Sequence, residues 1–151
     1  MTNGKSNFVY VTYIRTTPEE LWTALTTSEF MKKYWFGVSF ETDWKVGSPW
    51  KMTYPDGRIT DAGEILEFDR PRRIVLKWRN EFRPELKAEG HARCAIELEP
   101  QDSAVKLTIS HTIERADSKF IEAVSGGWPK ILSNLKSLLE TGQIALTSSG
   151  K

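Results

Sequence analysis

The last quarter of the chain carries one amphipathic pattern that constrains the whole fold. Across residues 118–141 the large apolar side chains recur at gaps of three and four, which places them on one face of a helix roughly 36 Å long. Gly126, Gly127 and Pro129 predict a kink or a short break within this helix, and Gly142 predicts its C-cap. A stripe this wide needs a concave apolar partner. The residues of the stripe are Ile121, Val124, Trp128, Ile131, Leu132, Leu135, Leu138 and Leu139.

Residues 8–113 predict that partner, a curved antiparallel sheet. Apolar and polar residues alternate there in about six to seven short segments, and turn signals such as Pro-Asp-Gly at 55–57 separate them. After the first segment, Thr17 and Pro18 predict the start of one short helix, and Ser28 predicts the cap of a second. The expected fold class is therefore α+β, with a sheet of about six to seven strands wrapped around a long C-terminal helix.

Length and charge exclude several classes of protein. The chain of 151 residues suits one domain over 1–151, with flexible tails expected at 1–6 and 145–151. Twenty-one basic and twenty acidic residues give a net charge of +1, which argues against nucleic acid as a partner. The single Cys94 excludes an internal disulfide and favours a cytoplasmic location. No apolar run is long enough to span a membrane.

Three segments together resemble one known superfamily. Residues 16–22 (Thr-Thr-Pro-Glu-Glu-Leu-Trp) resemble the opening motif of the START-like superfamily, also called SRPBCC or helix-grip. Residues 63–71 (Gly-Glu-Ile-Leu-Glu-Phe-Asp-Arg-Pro), followed by 73–78, resemble its central hairpin. Gly-Gly-Trp-Pro at 126–129 resembles the final helix of the branch that contains homologues of the C-terminal domain of the activator of the heat-shock-protein-90 ATPase.

This resemblance implies a fold and a cavity, but no single activity. It implies a helix-grip fold in which a cavity between sheet and final helix holds an apolar or amphiphilic molecule. Superfamily members include lipid carriers, hormone receptors, cyclases and dehydratases, so the fold does not decide the reaction. The co-chaperone also has a separate N-terminal domain, for which 151 residues leave no room, so chaperone activation is not expected to follow from the family alone.

Two polar residues occupy inward positions of otherwise apolar strands. Glu64 is predicted to share a side with Leu66 and Phe68, and His111 to share a side with Ile109. One interpretation is that both face the interior, where they contact a polar part of a ligand or exchange protons. The other is that both lie at strand ends near the rim, where they are solvated or hydrogen-bonded to the backbone. This second interpretation is favoured because a bulge can change which face of a strand a side chain points to.

Aromatic residues supply the remaining candidates. The tryptophans either line a ligand cavity or fill the space between sheet and helix, and the hydroxyl of Tyr54 needs a partner if it is buried. In the polar segment 79–90, Phe82 and Leu86 either anchor a loop or cover a site. Two histidines and one cysteine predict no metal site, and no cofactor or catalytic residue is predicted. The candidate ligand-binding residues are Trp35, Trp50, Tyr54, Glu64, Trp78, His111, Trp128 and Leu132.

Three functions remain open from the sequence. A small-molecule binding domain predicts an internal void of several hundred Å³. A protein-interaction module, with a chaperone or another protein as partner, predicts a filled core and an exposed apolar patch. An enzyme of cyclase or dehydratase type predicts two titratable groups within hydrogen-bond reach of a ligand. Both a monomer and a homodimer are compatible with the sequence.

Overall fold

In a computed structural model that describes residues 4–147, a seven-stranded curved sheet holds a long C-terminal helix. All neighbouring strands are antiparallel, and their order across the sheet is β1-β7-β6-β5-β4-β3-β2. The predicted helix-grip architecture is therefore confirmed. In chain order the elements are β1 (Ser6–Ile14), α1 (Pro18–Thr26), α2 (Ser28–Tyr34), β2 (Ser39–Thr42), β3 (Pro49–Thr53), β4 (Ile59–Asp69), β5 (Arg73–Asn80), α3 (Pro84–Lys87), β6 (Ala92–Gln101), β7 (Ala104–Ile113) and α4 (Lys119–Thr141).

The final helix has almost the predicted bounds and is continuous. Helix α4 runs without a break through Gly126, Gly127 and Pro129, so the expected break is wrong, and the alternative of a kink stays a prediction. A proline inside a helix removes one hydrogen bond and crowds the carbonyl four residues earlier, and burial of the neighbouring Trp128 outweighs this cost. The predicted C-cap is correct, because Gly142 has a φ of 87° and closes the helix in the left-handed conformation.

The two short helices form the predicted support beside the sheet. The Oγ of Thr17 accepts a hydrogen bond from the backbone N–H of Glu20 at 3.1 Å, which is the N-cap that the sequence predicts. The prediction that Ser28 caps α2 is wrong. Thr27 has an extended backbone, with φ −113°, and serves as both the C-cap of α1 and the N-cap of α2, so Ser28 already lies in the first turn.

A bulge in β4 decides which side chains reach the interior. The pairing of β4 with β5 passes from Ile65 opposite Leu76 to Glu67 opposite Val75, which leaves Leu66 as an extra residue. One extra residue reverses the alternation of side chains on its N-terminal side. Residues 61, 63 and 65 of β4 therefore face the helix.

Parts of both predicted tails are held in place. Ser6 begins β1, and its hydroxyl donates to the carbonyl of Arg115 at 2.7 Å. The side-chain oxygen of Asn134 accepts hydrogen bonds from the N–H groups of Ala145 and Leu146 at 3.1 and 2.7 Å. The remaining tail residues, 1–3 and 148–151, lie outside the described residues.

The polar segment 79–90 contains the short helix α3, which the sequence did not predict. Leu86 is buried and anchors this segment to the core, whereas Phe82 is largely exposed. The edge of the Phe82 ring meets Tyr54, with the ring centroids 5.3 Å apart. Within the described part of the chain, no helix is long and apolar enough to cross a membrane.

Candidate functional site

A groove of about 570 Å³ lies between the N-terminal half of α4 and strands β3 to β5. It opens at the surface, whereas the sequence predicted an internal void. Four of the predicted residues line it, namely Trp35, Tyr54, Trp78 and Trp128. Its volume is within the range of about 300–1,000 Å³ that is typical of small-molecule sites.

The walls of the groove are built by tryptophans that meet at steep angles. The rings of Trp35 and Trp128 are 5.1 Å apart at 67°, and those of Trp78 and Trp128 are 6.0 Å apart at 62°. Trp50 lies behind Trp78, at 4.8 Å and 64°, and its indole N–H donates to the carbonyl of Lys77 at 3.0 Å. Trp50 and Leu132 therefore belong to the packed core and do not line the groove.

One acidic residue of the groove was missed by the sequence analysis. Asp61 faces inward, and its Oδ2 accepts a hydrogen bond from the indole N–H of Trp78 at 2.8 Å. The hydroxyl of Thr60 donates to Oδ1 at 2.7 Å. Burial raises the pKa of the Asp61 carboxyl, and the negative charge of Glu81 adds to this, while both hydrogen bonds act in the opposite direction. Asp61 lies two and four residues before Gly63 and Ile65, so the three side-chain positions share one face of β4. That this face is the inner one follows only from the bulge at Leu66.

His111 faces the interior, which agrees with the first of the two interpretations and not with the rim position, but it does not line the groove. Its side chain is fully buried against the rings of Trp78, Phe120 and Trp128, with centroid distances of 5.1, 5.6 and 5.9 Å. Neither ring nitrogen has a hydrogen-bond partner among the described residues. Burial lowers the pKa of His111 to about 3, so the ring is neutral at pH 7. The aromatic wall of the groove separates His111 from any ligand.

Glu64 lies on the outer face of the sheet, and its predicted inward position is wrong. It pairs with Lys77 across the β4–β5 ladder and lines a shallow surface depression of about 260 Å³ that also includes His91. The bulge at Leu66 is the physical reason, because it reverses the alternation on which the prediction rested. Glu64 and His111 therefore face opposite sides of the sheet and do not form an acid–base pair.

Two basic side chains, those of Arg83 and Lys130, line the groove, and Arg58 lies beside the lining residue Tyr54. The guanidinium of Arg83 donates two hydrogen bonds to Glu85 at 3.0 and 2.8 Å. Arg58 stacks over the ring of Tyr54, with its central carbon 5.1 Å from the centroid, and Lys130 of α4 is exposed. Among residues 4–147 there is no group of three or more histidine, cysteine, aspartate or glutamate side chains that could hold a metal ion.

The fold has many solved counterparts. It matches the protein MLL2253 from Mesorhizobium loti with a TM-score of 0.78 at 19% identity, over 92% of this chain and 100% of the other. ChR145 from Cytophaga hutchinsonii matches with a TM-score of 0.72 at 26% identity, over 94% and 98% of the two chains. PFC0360w, an HSP90 activator from Plasmodium falciparum, matches with a TM-score of 0.72 at 24% identity, over 88% and 95%.

The sequence itself also matches a family. No curated protein matches the chain, but the model of the family described as "Activator of Hsp90 ATPase homolog 1-like protein" matches residues 15–140. This span runs from the residue after β1 to the last turn of α4, so it includes both halves of the groove. The chain therefore belongs to the family of Activator of Hsp90 ATPase homolog 1-like proteins, a branch of the START-like superfamily.

Proposed function

We propose that this protein binds a small apolar or amphiphilic molecule in the groove between β3–β5 and α4. The observation that carries the proposal is the groove itself, which has a volume of about 570 Å³ and lies beside the buried core. Close packing is the rule in protein interiors, so a space of this size bounded by aromatic walls favours an occupant. A cytoplasmic location belongs to the same proposal and rests on the single, unpaired Cys94.

The lining of the groove has the composition that small-molecule sites usually have. Aromatic and aliphatic side chains form most of it, and a few polar groups, among them Asp61, Asn80 and the hydroxyl of Tyr54, interrupt the apolar surface. Such an arrangement favours a ligand with an apolar body and at least one polar group. A catalytic role is not proposed, because the only acid–base pair suggested by the sequence, Glu64 with His111, is not formed.

The experiment that tests the proposal fills the groove from the helix side. Gly127 lines the groove, and a Cβ added there would have no neighbouring atom within 4 Å, so a large side chain can enter without displacing the core. We expect Gly127→Phe to reduce binding of the neutral fluorescent probe N-phenyl-1-naphthylamine at least tenfold. Gly127→Ala is the matched control, since it makes the same change in the helix backbone but leaves the groove open. Equal binding by the two variants would contradict the proposal.

A second candidate function is a protein-interaction module of the co-chaperone type. Membership of the family supports it, as do the exposed apolar side chains of Val9, Val11 and Tyr13 on the outer face of β1. The test is the ATPase rate of Hsp90 with and without the purified chain. This candidate predicts that the chain stimulates the ATPase, that Val9→Lys abolishes the stimulation, and that Gly127→Phe leaves it intact. An unchanged ATPase rate would contradict it.

A further inference from the structure

The inner wall of the groove combines one carboxylate with several aromatic rings. Asp61 is the only acidic residue among the described residues that line the groove. Its two oxygens accept one hydrogen bond each, from Thr60 and Trp78. A carboxylate offers about four acceptor positions, so Asp61 retains the capacity to accept from a ligand. A buried negative charge is costly unless a cation lies beside it.

Aromatic rings share the lining of the groove with Asp61. The planes of Trp35 and Trp78 are inclined by 67° and 62° to that of Trp128, so the three rings do not stack face to face. All three line the groove, together with Tyr54. The faces of aromatic rings attract ammonium groups, tryptophan most strongly, and desolvation strengthens the attraction.

Two basic residues, Arg83 and Lys130, also line the groove. Arg83 is exposed and its charge is matched by the two hydrogen bonds to Glu85. Lys130 lies on the exposed side of α4. Neither contributes to the raised pKa of Asp61, for which the only charged contributor is the like charge of Glu81. The inner wall is therefore locally negative although the chain as a whole is almost neutral.

We propose that the groove selects amphiphilic amines, whose ammonium group donates a hydrogen bond to Asp61 while an apolar body lies against the tryptophans. This inference rests on the proposed binding function and names the ligand class for the same site. The ammonium supplies the counter-charge that Asp61 lacks in the folded protein. The apolar body fills the part of the groove bounded by Trp35, Trp78 and Trp128.

The test compares two probes that share one ring system and differ only in the polar group. 2-Naphthylmethylamine is protonated at pH 7, and 2-naphthylmethanol is its neutral counterpart. We expect the wild-type protein to bind the amine roughly tenfold to a hundredfold more tightly in calorimetry, since one partner of the hydrogen bond is then a cation. Asp61→Asn should remove this preference.

The control variant is Glu64→Gln, which removes an equal charge from the same strand but on the outer face of the sheet. It should leave the preference for the amine unchanged. If both variants reduce the preference equally, or if it survives Asp61→Asn, the ammonium inference is wrong while the binding function stands. If the wild-type protein binds neither probe, the binding function fails as well. Equal affinity of the wild-type protein for amine and alcohol also overturns the inference.

A second, independent inference concerns the free edge of the sheet at β1. Residues 7–14 contain no charge, and the pairing of β1 with β7 has no register shift along its length. Val9, Val11 and Tyr13 are 56, 44 and 46% exposed. Within the described part of the chain no strand pairs with the other side of β1. Natural edge strands usually carry a charge, a proline or a bulge that prevents pairing.

The hydrogen bonds at the end of β1 show which backbone groups face this edge. The carbonyl of Tyr13 accepts from the ammonium of Lys136, and the N–H of Arg15 donates to the carboxylate of Glu140 at 2.8 Å. Both groups therefore point away from β7. Because backbone groups alternate along an antiparallel strand, those of residues 7, 9 and 11 face the same edge. No other described element supplies partners for them.

We infer that a second copy of the chain pairs with this edge, antiparallel and centred on Val9. In that register Val9 lies opposite its own copy and Asn7 lies opposite Val11, which closes six backbone hydrogen bonds. Lys5 then lies opposite Tyr13, and no like charges meet. Centring the pair on Tyr10 would instead place Lys5 opposite Arg15, two like charges, and would require the carbonyl of Tyr13 that Lys136 already occupies.

Cysteine cross-linking tests both the dimer and its register. Paired Val9 residues would have Cα atoms about 5.5 Å apart, within the range of a disulfide, whereas the two Val11 residues would be about 14 Å apart. Val9→Cys should cross-link under mild oxidation and Val11→Cys should not. Val9→Lys should also shift the protein to monomer in sedimentation, while the control Val46→Lys, on an exposed loop, should not. A monomer at every concentration, or cross-linking through position 11, would overturn the inference.

Discussion

The buried His111 makes a quantitative prediction for the stability of the protein in mild acid. Its ring is surrounded by Trp78, Phe120 and Trp128, and the residue opposite it in β6 is Cys94, a thiol whose pKa burial raises. No charged group faces the imidazole from these positions. Desolvation lowers the pKa of the folded state to about 3, against an ordinary value of 6.5. The unfolded chain therefore takes up a proton below pH 6.5 that the folded chain takes up only near pH 3.

The sign and size of the effect follow from this difference. The contribution is present in full above pH 6.5 and is lost as the pH falls towards 3. Between pH 7 and pH 5 the free energy of unfolding should fall by about 2 kcal/mol on account of His111 alone. Replacing it by leucine removes the titration, and it also removes two unsatisfied polar atoms from the core. At pH 7 we expect His111→Leu to stabilise the fold by about 1 kcal/mol, after an allowance for imperfect shape.

The assay is urea unfolding followed by tryptophan fluorescence at pH 7 and pH 5 for the wild-type protein and His111→Leu. The control is His91→Asn, which changes the exposed histidine and should retain most of the acid sensitivity. Carboxyl groups titrate alike in all three proteins, so their effect cancels in the comparison. An equal loss of stability in the wild-type protein and His111→Leu would show that the folded ring accepts a proton, and would refute the argument from burial.

Other predictions concern residues that hold the frame of the site. Gly63→Ala should cost about 3 kcal/mol or more in urea unfolding, because its new Cβ would lie 1.7 Å from the carbonyl oxygen of Lys77. Asn134→Leu should cost about 2 kcal/mol and expose the C-terminal segment to limited proteolysis, because three hydrogen bonds hold that segment. Glu89→Gln should lower the unfolding free energy by about 1 kcal/mol, since Glu89 accepts hydrogen bonds from the first turn of α4.

The order and type of the main elements could be predicted from the sequence because each hydrophobic pattern extends over many residues. Alternation over the strands and gaps of three and four over α4 each involve many residues, so single exceptions do not change the result. The break expected at Gly126 and Pro129 was wrong because that prediction rested on a few local residues. Local propensity favours an interruption there, but burial of Trp128 on the sheet contributes more than the propensity removes.

The candidate site was predictable only in part, because its polar residues depend on the phase of one strand. Four aromatic residues of the groove could be named, since large rings on the inner faces of the predicted elements have few other places to pack. Glu64 was assigned to the wrong face and Asp61 was missed, because the bulge at Leu66 adds one residue that no composition signal marks. The face that a polar residue beside a bulge occupies can therefore be assigned only when the pairing register of the strand is known.

Trp78 is the residue that joins the two buried titratable groups, and this allows the amine site to be tested without changing Asp61. Its indole N–H donates to Asp61, while its ring packs on His111. Trp78→Phe keeps an aromatic ring but removes the donor, so the pKa of Asp61 should rise further. The loss of 2-naphthylmethylamine binding on acidification should then begin at a higher pH than in the wild-type protein, whereas Asp61→Asn should show no such dependence on pH. Trp50→Phe is the control, because its N–H donates to the carbonyl of Lys77 and not to Asp61. A loss in Trp78→Phe that does not change with pH would mean that the ring, and not the charge on Asp61, determines amine binding.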